Sequence, residues 1–216
     1  METNAWEEAY LRFETPEQEI RKFIARLESI GQRDWRRDAQ IVEIFCGRGN
    51  GLKALERLGF SNLEGADLSS RLVGEYKGIR KTHVADCRQL PFPDNSRDVV
   101  IVQGGLHHLL KLPEDLDQTL AEVRRVLRLE TGTFVAVEPW LTPFLQIVHF
   151  ISEKKLMRRF SGKINAFATM VENEIETYEQ WLNRPQEVLD LFEKHFVAVH
   201  SHKKLGKFTF VGKPRL

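Results

Sequence analysis

The stretch IVEIFCGRGNGLKALERLG, residues 41–59, decides how this chain is expected to fold. It opens with an apolar, β-branched run typical of a buried strand, continues through closely spaced glycines, and ends with leucines at helical spacing. A strand, a glycine-rich loop and a helix in this order can hold a nucleotide-like cofactor close to the backbone. The glycines at 47, 49 and 51 do not complete the dinucleotide pattern GxGxxG, because position 52 is leucine. The pattern therefore disfavours a nicotinamide-dependent enzyme, and the rest of the chain has to identify the cofactor.

The composition is that of an ordinary globular chain without a charge bias. Its 216 residues, 42% of them hydrophobic, suit one compact domain. A formal net charge of +1 gives no general reason to expect a nucleic-acid partner. The two cysteines, Cys46 and Cys87, match neither a CxxC pair nor a zinc-site spacing, so no disulfide framework and no metal site are predicted.

The cytoplasm is the expected location of the chain. The acidic N-terminal stretch lacks the apolar core of a signal peptide. No apolar run approaches the roughly 20 residues that a membrane-spanning helix needs. Two free cysteines also agree with a reducing compartment.

Strand-like and helix-like segments alternate from residue 39 to residue 140. This order predicts an α/β fold: a doubly wound, mostly parallel, seven-stranded sheet with the last strand antiparallel and a helical cap inserted. We expect a single domain over residues 1–216. Its predicted parts are an N-terminal helical segment (1–38), a cofactor-binding core (39–140), a helical substrate cap (141–185), and a final helix with a strand pair (186–216).

Two acidic residues follow the predicted second and third strands. Asp67 lies 20 residues after Gly47, where an acid can bond both hydroxyls of a ribose. Asp86 is followed by Cys87, so a carboxylate can accept from an exocyclic amino group while the next backbone N–H donates to a ring nitrogen. Together these positions predict an adenosine group that needs no phosphate contact. The alternative is that both acids only stabilise turns at the strand ends.

Four motifs in this order resemble those of the class I S-adenosylmethionine-dependent methyltransferases, in particular small-molecule enzymes similar to the ubiquinone and menaquinone methyltransferases. The resemblance covers residues 40 to 140 and implies a Rossmann-like methyltransferase fold. It also implies S-adenosylmethionine as cofactor and S-adenosylhomocysteine as product. The motifs are VEIFCGRG, GADLS, ADCRQLPFPDNSRDVVIVQGGLHHL and EVRRVLRLETGTFVAVEP.

The resemblance assigns the first motif to the methionine end of the cofactor. Glu43 would lie near the methionine amino group, although it could instead cap a helix or pair with a basic residue. Gly47 and Gly49 would let the loop pass against the cofactor. Phe45 stands where the family usually has glycine, and Arg48 where a small residue is frequent. Phe45 is expected to pack at the end of the strand and contact the cofactor.

The later motifs would hold the adenosine and the methyl group. By position, Asp67 would hold the ribose hydroxyls, and Leu68 would pack on the adenine. Asp86 would accept from the adenine amino group, and Cys87 would supply its backbone amide. Gln103 would lie at the end of the fourth strand, near the sulfonium and the methyl group.

Two histidines, His107 and His108, follow the fourth strand. Ligands bind at the carboxyl edge of open α/β sheets, so a histidine there is a candidate catalytic general base. The alternative is that one histidine packs or bonds the backbone while the other faces solvent. Methyl transfer from a sulfonium can also proceed with little acid–base help, because in-line positioning supplies much of the acceleration.

A basic cluster, Lys154 to Lys163, follows an apolar stretch. As a helix, residues 143–163 would be basic and amphipathic, which is typical of contact with a membrane surface or with a lipid-like or anionic substrate. A cap helix with a solvated positive face is the alternative.

The expected function is methyl transfer to a small-molecule or lipid-like acceptor by direct displacement. An RNA methyltransferase is an alternative, which the Gln-Gly-Gly-Leu sequence at 103–106 disfavours because it lacks the Asn/Asp-Pro-Pro-aromatic motif of base-amine methylation. A non-catalytic cofactor-binding partner subunit is a second alternative. No motif in the sequence specifies the acceptor, the methylated atom or the oligomeric state.

Overall fold

The structure, a computed structural model, describes residues 3–216 of the chain, with side chains from residue 8 onward. Seven strands form one sheet in the order β3-β2-β1-β4-β5-β7-β6. The strands are β1 (Gln40–Ile44), β2 (Asn62–Asp67), β3 (Lys81–Val84), β4 (Val99–Gln103), β5 (Thr133–Pro139), β6 (Phe196–Lys204) and β7 (Lys207–Pro214). Strand β7 runs opposite in direction to the other six strands. The predicted sheet is therefore confirmed.

Helices cover both faces of the sheet and its carboxyl edge. They are α1 (Thr3–Phe13), α2 (Pro16–Ser29), α3 (Asn50–Arg57), α4 (Ser70–Glu75), α5 (Glu114–Val126), α6 (Pro143–Ser152), α7 (Lys155–Phe160), α8 (Gly162–Asn173), α9 (Ile175–Asn183) and α10 (Pro185–His195). The start of α2 is as the sequence predicts: the Thr15 side chain accepts from the Gln18 backbone N–H, and Pro16 occupies the first turn.

The hydrophobic core lies in two layers, one on each side of the sheet. On one side, α2 and α3 bring Phe23 and Leu55 against the central strands. On the other side, α5, α9 and α10 bring a second set of apolar side chains, including Trp181 and Phe192. The inner strand β5 is buried along its whole length, as expected for a strand covered on both faces.

The carboxyl edge of the sheet is roofed by helices from both ends of the chain. The range predicted as a cap contains α6 to α9. Helix α1 packs along α8, where the Phe13 and Phe167 rings lie 6.2 Å apart between centroids. The Trp181 indole N–H donates to the Pro139 carbonyl at 2.9 Å and so ties α9 to the end of β5. Among residues 3–216, no helix has both the length and the hydropathy to cross a bilayer.

Candidate functional site

A cavity of about 1470 Å³ opens at the carboxyl edge of the sheet. Its floor is formed by the ends of β1, β2, β4 and β5, and its walls by α1, α2, α6, α8 and the β6–β7 turn. Of the residues that the sequence nominates for cofactor or catalysis, ten line this cavity: Glu43, Phe45, Gly47, Asp67, Leu68, Asp86, Cys87, Gln103, His107 and His108. The fold thus brings together side chains that lie far apart in the sequence.

Gly49 is the nominated residue that does not line the cavity. It precedes α3 with φ at +73°, and a side chain there would overlap the Tyr76 ring. A residue with a Cβ would therefore meet both a left-handed backbone and a steric clash. Its position indicates a role in shaping the loop beside Tyr76. The contact of Gly49 with the cofactor stays a prediction.

Glu43 is a buried carboxylate at the floor of the cavity. A methyl group at position 51 would overlap this carboxylate, so Gly51 makes room for it. Its Oε2 has no hydrogen-bond partner among the described residues. Burial raises the pKa of Glu43 well above its usual range, and the nearby carboxylate of Glu19 raises it further. A buried, unsatisfied carboxyl oxygen is suited to an ammonium group of a ligand.

Phe45 adopts a left-handed backbone conformation, with φ at +58°. This region is unfavourable for residues with a Cβ, which explains why glycine is usual at this position in the family that the motif resembles. The Phe45 ring lies where a side chain on Gly105 would be, so that glycine makes the packing possible. Packing at the end of the strand is therefore as expected, but it occurs on a strained backbone.

Asp67 ties the glycine-rich loop to the end of β2. Its carboxylate accepts from the backbone N–H groups of Gly47 and Ser69, each at 2.8 Å. A carboxylate offers about four acceptor positions, so capacity remains for ligand hydroxyls. Beside it, Leu68 is 71% exposed and offers an apolar surface at the cavity wall.

Asp86 is held by a paired interaction with Arg88. The guanidinium donates to the carboxylate through Nε at 3.0 Å and Nη2 at 2.7 Å, and Nη1 continues to Asp115 at 2.8 Å. These bonds hold the pKa of Asp86 below its usual range. Burial raises the pKa of the neighbouring Cys87 thiol to about 11, so this cysteine is protonated at neutral pH. Its Sγ lies 3.4 Å from Thr119 Oγ1.

Gln103 connects the fourth strand to the N-terminal helices. Its Oε1 accepts from Arg26 Nη1 at 2.5 Å. Arg26 lies on α2, and burial lowers the pKa of its guanidinium. Glu19, also on α2, accepts from Asn50 at 2.7 Å. The sequence did not nominate Arg26 or Glu19, because nothing in the order of residues shows that α2 reaches the cavity.

His107 is positioned by a carboxylate from the next strand. Its Nδ1 lies 2.7 Å from Glu138 Oε2. Glu138 is fully buried, and its Oε1 accepts from the backbone N–H groups of Gly105 and Leu106 at 2.9 Å. Burial acts to raise the pKa of Glu138, but the His107 and backbone hydrogen bonds prevail and lower it. Burial lowers the pKa of His107. An ionised Glu138 and a neutral His107 place the proton on Nδ1 and the lone pair on Nε2.

His108 pairs with Glu174, which immediately precedes α9. The His108 Nδ1 lies 3.0 Å from Glu174 Oε2, and the His107 Nε2 lies 4.0 Å from Glu174 Oε1. Burial acts to lower the pKa of His108, but the bond to Glu174 prevails and raises it. Ligand-capable atoms of these three residues all lie within 4.8 Å of one another. No metal site was predicted, and spacing could not have indicated this cluster, since Glu174 comes from a distant segment.

The part of the lining that α6 and α8 supply is mostly apolar. Tyr178 Oη lies 3.1 Å from His149 Nε2, which leaves the ring faces of this pair among hydrophobic neighbours. The surrounding side chains of this part of the lining are Phe144, Val148, Phe167, Met170 and Val171. The strand ends and α2 therefore give the cavity a polar and charged lining, whereas α6 and α8 give it a mostly apolar one.

Comparisons with known proteins agree with this architecture. Residues 42–135 match the family model described as a methyltransferase domain. A demethylmenaquinone methyltransferase of Symbiobacterium thermophilum is 26% identical over 134 residues, which cover 57% of this chain and 51% of that protein. The chain thus spans about half the length of that relative.

Solved structures share the fold over nearly the whole chain. The PH0226 protein of Pyrococcus horikoshii superposes with a TM-score of 0.68 at 20% identity, covering 95% of this chain and 96% of that one. A SAM-dependent methyltransferase of Methanosarcina mazei gives a TM-score of 0.59 at 18% identity, covering 87% and 97%. With the matched motifs and the sheet order, these similarities show a class I methyltransferase fold over nearly the whole chain and a match to the methyltransferase-domain family over residues 42–135.

Proposed function

We propose that this chain transfers a methyl group from S-adenosylmethionine to a small-molecule or lipid-like acceptor. The observation that carries the proposal is the cavity of about 1470 Å³ at the carboxyl edge of the sheet. Its lining includes the carboxylates of Glu43, Asp67 and Asp86, which we call the cofactor end. It also includes the two histidines and the apolar side chains of α6 and α8, which we call the acceptor end. A cofactor and an acceptor can therefore meet in one cavity.

The residues present fit the cofactor. The unsatisfied Oε2 of Glu43 would take the methionine ammonium, and the Asp67 carboxylate would take the ribose hydroxyls. Asp86, fixed by Arg88, would accept from the adenine amino group, with the Cys87 backbone N–H beside it and Leu68 against the ring. When bound, the cofactor supplies a methyl group activated by a sulfonium.

The histidines would act on the acceptor. Glu138 orients His107 so that Nε2 is free of the proton, and an imidazole in this state can accept a proton from a hydroxyl or amine. His108 is held beside it by Glu174. The buried position of these groups would exclude water from the acceptor, which favours direct displacement over side reactions.

The acceptor class is inferred from the cavity lining. A mostly apolar lining suits a small or lipid-like molecule better than a nucleic acid, which needs an exposed basic surface. The name of the curated relative, a demethylmenaquinone methyltransferase, supports the same class. The RNA alternative would gain support from salt-sensitive binding of tRNA or rRNA.

Contact with a membrane surface is proposed for α6 and α7. Large apolar side chains on these helices face outward: Phe150 is 60% exposed and Phe160 is 78% exposed. Basic residues of the cluster 154–163 accompany them. Binding to phosphatidylcholine vesicles that contain anionic phosphatidylglycerol should fall when both phenylalanines become serine. Val199→Ser, a change of an exposed residue on β6, should leave it unchanged.

Calorimetry with S-adenosylmethionine and S-adenosylhomocysteine tests the proposed function. Each should bind in a one-to-one ratio. Transfer of a labelled methyl group to candidate acceptors then tests the acceptor class, with short-chain quinols and unmodified tRNA as the contrasting pair. Failure to bind either form of the cofactor would overturn the proposal.

A further inference from the structure

We infer that His107, His108 and Glu174 form a binding site for a divalent metal ion at the acceptor end of the cavity. Their ligand-capable atoms lie within 4.8 Å of one another. Bonds of about 2.0–2.2 Å from nitrogen and oxygen ligands to one ion place the ligand atoms roughly 3–4 Å apart. His108 Nδ1 lies 3.0 Å from Glu174 Oε2, and His107 Nε2 lies 4.0 Å from Glu174 Oε1, and both distances are close to this arrangement.

The three residues come from two places that the fold fixes independently. His107 and His108 belong to a short 3-10 turn after β4, and Glu174 is the residue before α9. Two imidazoles and one carboxylate form a donor set that binds iron, zinc, manganese or cobalt and leaves coordination positions open. All three residues line the cavity, so the open positions would face the space proposed for the acceptor.

Glu138 supplies the second contact that metal-binding histidines usually have. A ligand histidine generally donates its other ring N–H to a carboxylate, which fixes the ring and leaves the opposite nitrogen for the metal. His107 has this arrangement: Nδ1 meets Glu138 at 2.7 Å, and Nε2 is on the side of Glu174. Two backbone N–H groups hold Glu138 in turn.

The buried carboxylates around the two histidines also favour the binding of a cation. Glu138 and Glu174 are both buried and bring two carboxylates to two imidazoles. A divalent ion would offset both carboxylates while leaving each imidazole neutral, as coordination requires. The site contains no thiolate, since Cys46 and Cys87 are not part of it, and it therefore does not resemble a structural zinc site.

The inference rests on the proposed function in one respect, the placement of the acceptor. An ion here would hold an acceptor through an oxygen of a hydroxyl, carbonyl or carboxylate group, and would lower the pKa of a bound hydroxyl. This narrows the acceptor class to small molecules with an oxygen at the reacting end. An ion bound to His107 would also prevent this residue from acting as a general base, because a coordinated Nε2 cannot accept a proton.

The test uses the full chain, without an affinity tag, after dialysis against EDTA. Mn²⁺, Co²⁺ and Zn²⁺ are titrated separately and followed by calorimetry, and the absorption spectrum is recorded for Co²⁺. At least one ion should bind in a one-to-one ratio. His108→Ala and Glu174→Gln should each weaken that binding by at least about tenfold, and Glu138→Gln by about 10–100-fold.

A matched control is available in His83. Its Nε2 lies 2.7 Å from Glu64 in a partly buried pair that does not line the cavity. His83→Ala should therefore leave metal binding unchanged. The inference is overturned if none of the three ions binds, or if His108→Ala and Glu174→Gln bind as tightly as the parent chain. Circular dichroism of each variant confirms that a loss is not due to unfolding.

Cofactor binding separates this inference from the proposed function. If the EDTA-treated chain binds S-adenosylmethionine but no metal, the proposed function stands and the metal site fails. If it binds metal but neither form of the cofactor, the proposed function fails while the metal site stands without an assigned acceptor.

Discussion

The proposed cofactor end and the proposed acceptor end of the cavity are built in different ways. At the cofactor end, Asp67 and Asp86 each follow a strand within a short continuous motif, and their hydrogen bonds are to residues nearby in the sequence or in the adjoining loop. At the acceptor end, His107, Glu138 and Glu174 come from three separate segments and meet only in the folded chain. The first arrangement depends on local structure, and the second depends on how distant elements pack.

The largest expected effect is at the acceptor end. Glu138→Ala removes the partner of His107 and of two buried backbone N–H groups. Breaking a buried, hydrogen-bonded pair costs about 3–5 kcal/mol. We expect a loss of this size in the free energy of unfolding measured with urea. Glu28→Ala, which breaks an exposed pair with Arg33, is the control and should cost about 0–1 kcal/mol. Equal losses in the two variants would show that the Glu138 hydrogen bonds contribute no more than an exposed ion pair.

The cofactor end is tested by Asp67→Ala. The proposed ribose contact predicts a loss of roughly 1–3 kcal/mol in the binding free energy of S-adenosylmethionine, or about 5–150-fold in affinity. Calorimetry measures this change. Asp38→Ala, an exposed acid paired with Arg36 away from the cavity, is the control. Unchanged affinity in Asp67→Ala would refute the ribose assignment.

A pH-dependent effect is expected from Glu43. Because burial raises its pKa above the ordinary 4.5, the folded chain binds this proton more tightly than the unfolded chain does. The resulting stability is complete below about pH 4.5 and is lost as the pH rises through the folded pKa. Glu43→Gln should therefore be more stable than the parent at pH 8, by on the order of 1–3 kcal/mol, and the gain should vanish toward pH 4.5.

Thermal unfolding without cofactor at several pH values measures this difference. The exposed Glu130→Gln is the control and should show no such trend. The same Glu43 variant should bind S-adenosylmethionine more weakly, because an amide cannot pair with the methionine ammonium. If the difference in stability between Glu43→Gln and the parent chain were constant across the pH range, the pKa of Glu43 would not be raised by burial.

The smallest expected difference in stability comes from the backbone conformation at Phe45. Glycine and alanine both remove the ring, but only glycine relieves the left-handed conformation at φ +58°. Phe45→Gly should therefore be more stable than Phe45→Ala by roughly 1–2 kcal/mol, as measured by urea unfolding. If the two variants were equally stable, the loop would have rearranged and the strain would not belong to the native backbone.

The sequence predicted the fold well because its signals are local. Strand patterns, helix patterns and the Thr15 cap all act within a few residues, and the sheet and the cap were found as expected. The residues nominated for the cofactor belong to the same short motifs, and nearly all of them line one cavity. Gly49 shows the limit of such reasoning, since a glycine in the motif can also be required by a neighbouring ring, here Tyr76.

The acceptor end could not be predicted in the same way. Arg26 lies in an amphipathic helix and Glu174 directly precedes one, positions where a charged residue ordinarily indicates a solvent-exposed face. Only the packing of α2 and of α9 against the carboxyl edge of the sheet turns these charges inward. A metal-binding cluster made of residues from distant segments leaves no spacing pattern, in contrast to the cysteine pairs of a zinc site.

The packing of α1 along α8 has a consequence for how the chain is made. A ribosome completes α1 early, but α8 ends only at Asn173, so α1 has no partner until most of the polypeptide has emerged. Contacts between such distant segments form late, because a long loop must close before they contribute any free energy. During synthesis, the apolar face that includes Ala9 therefore stays uncovered and is a surface on which a chaperone could act.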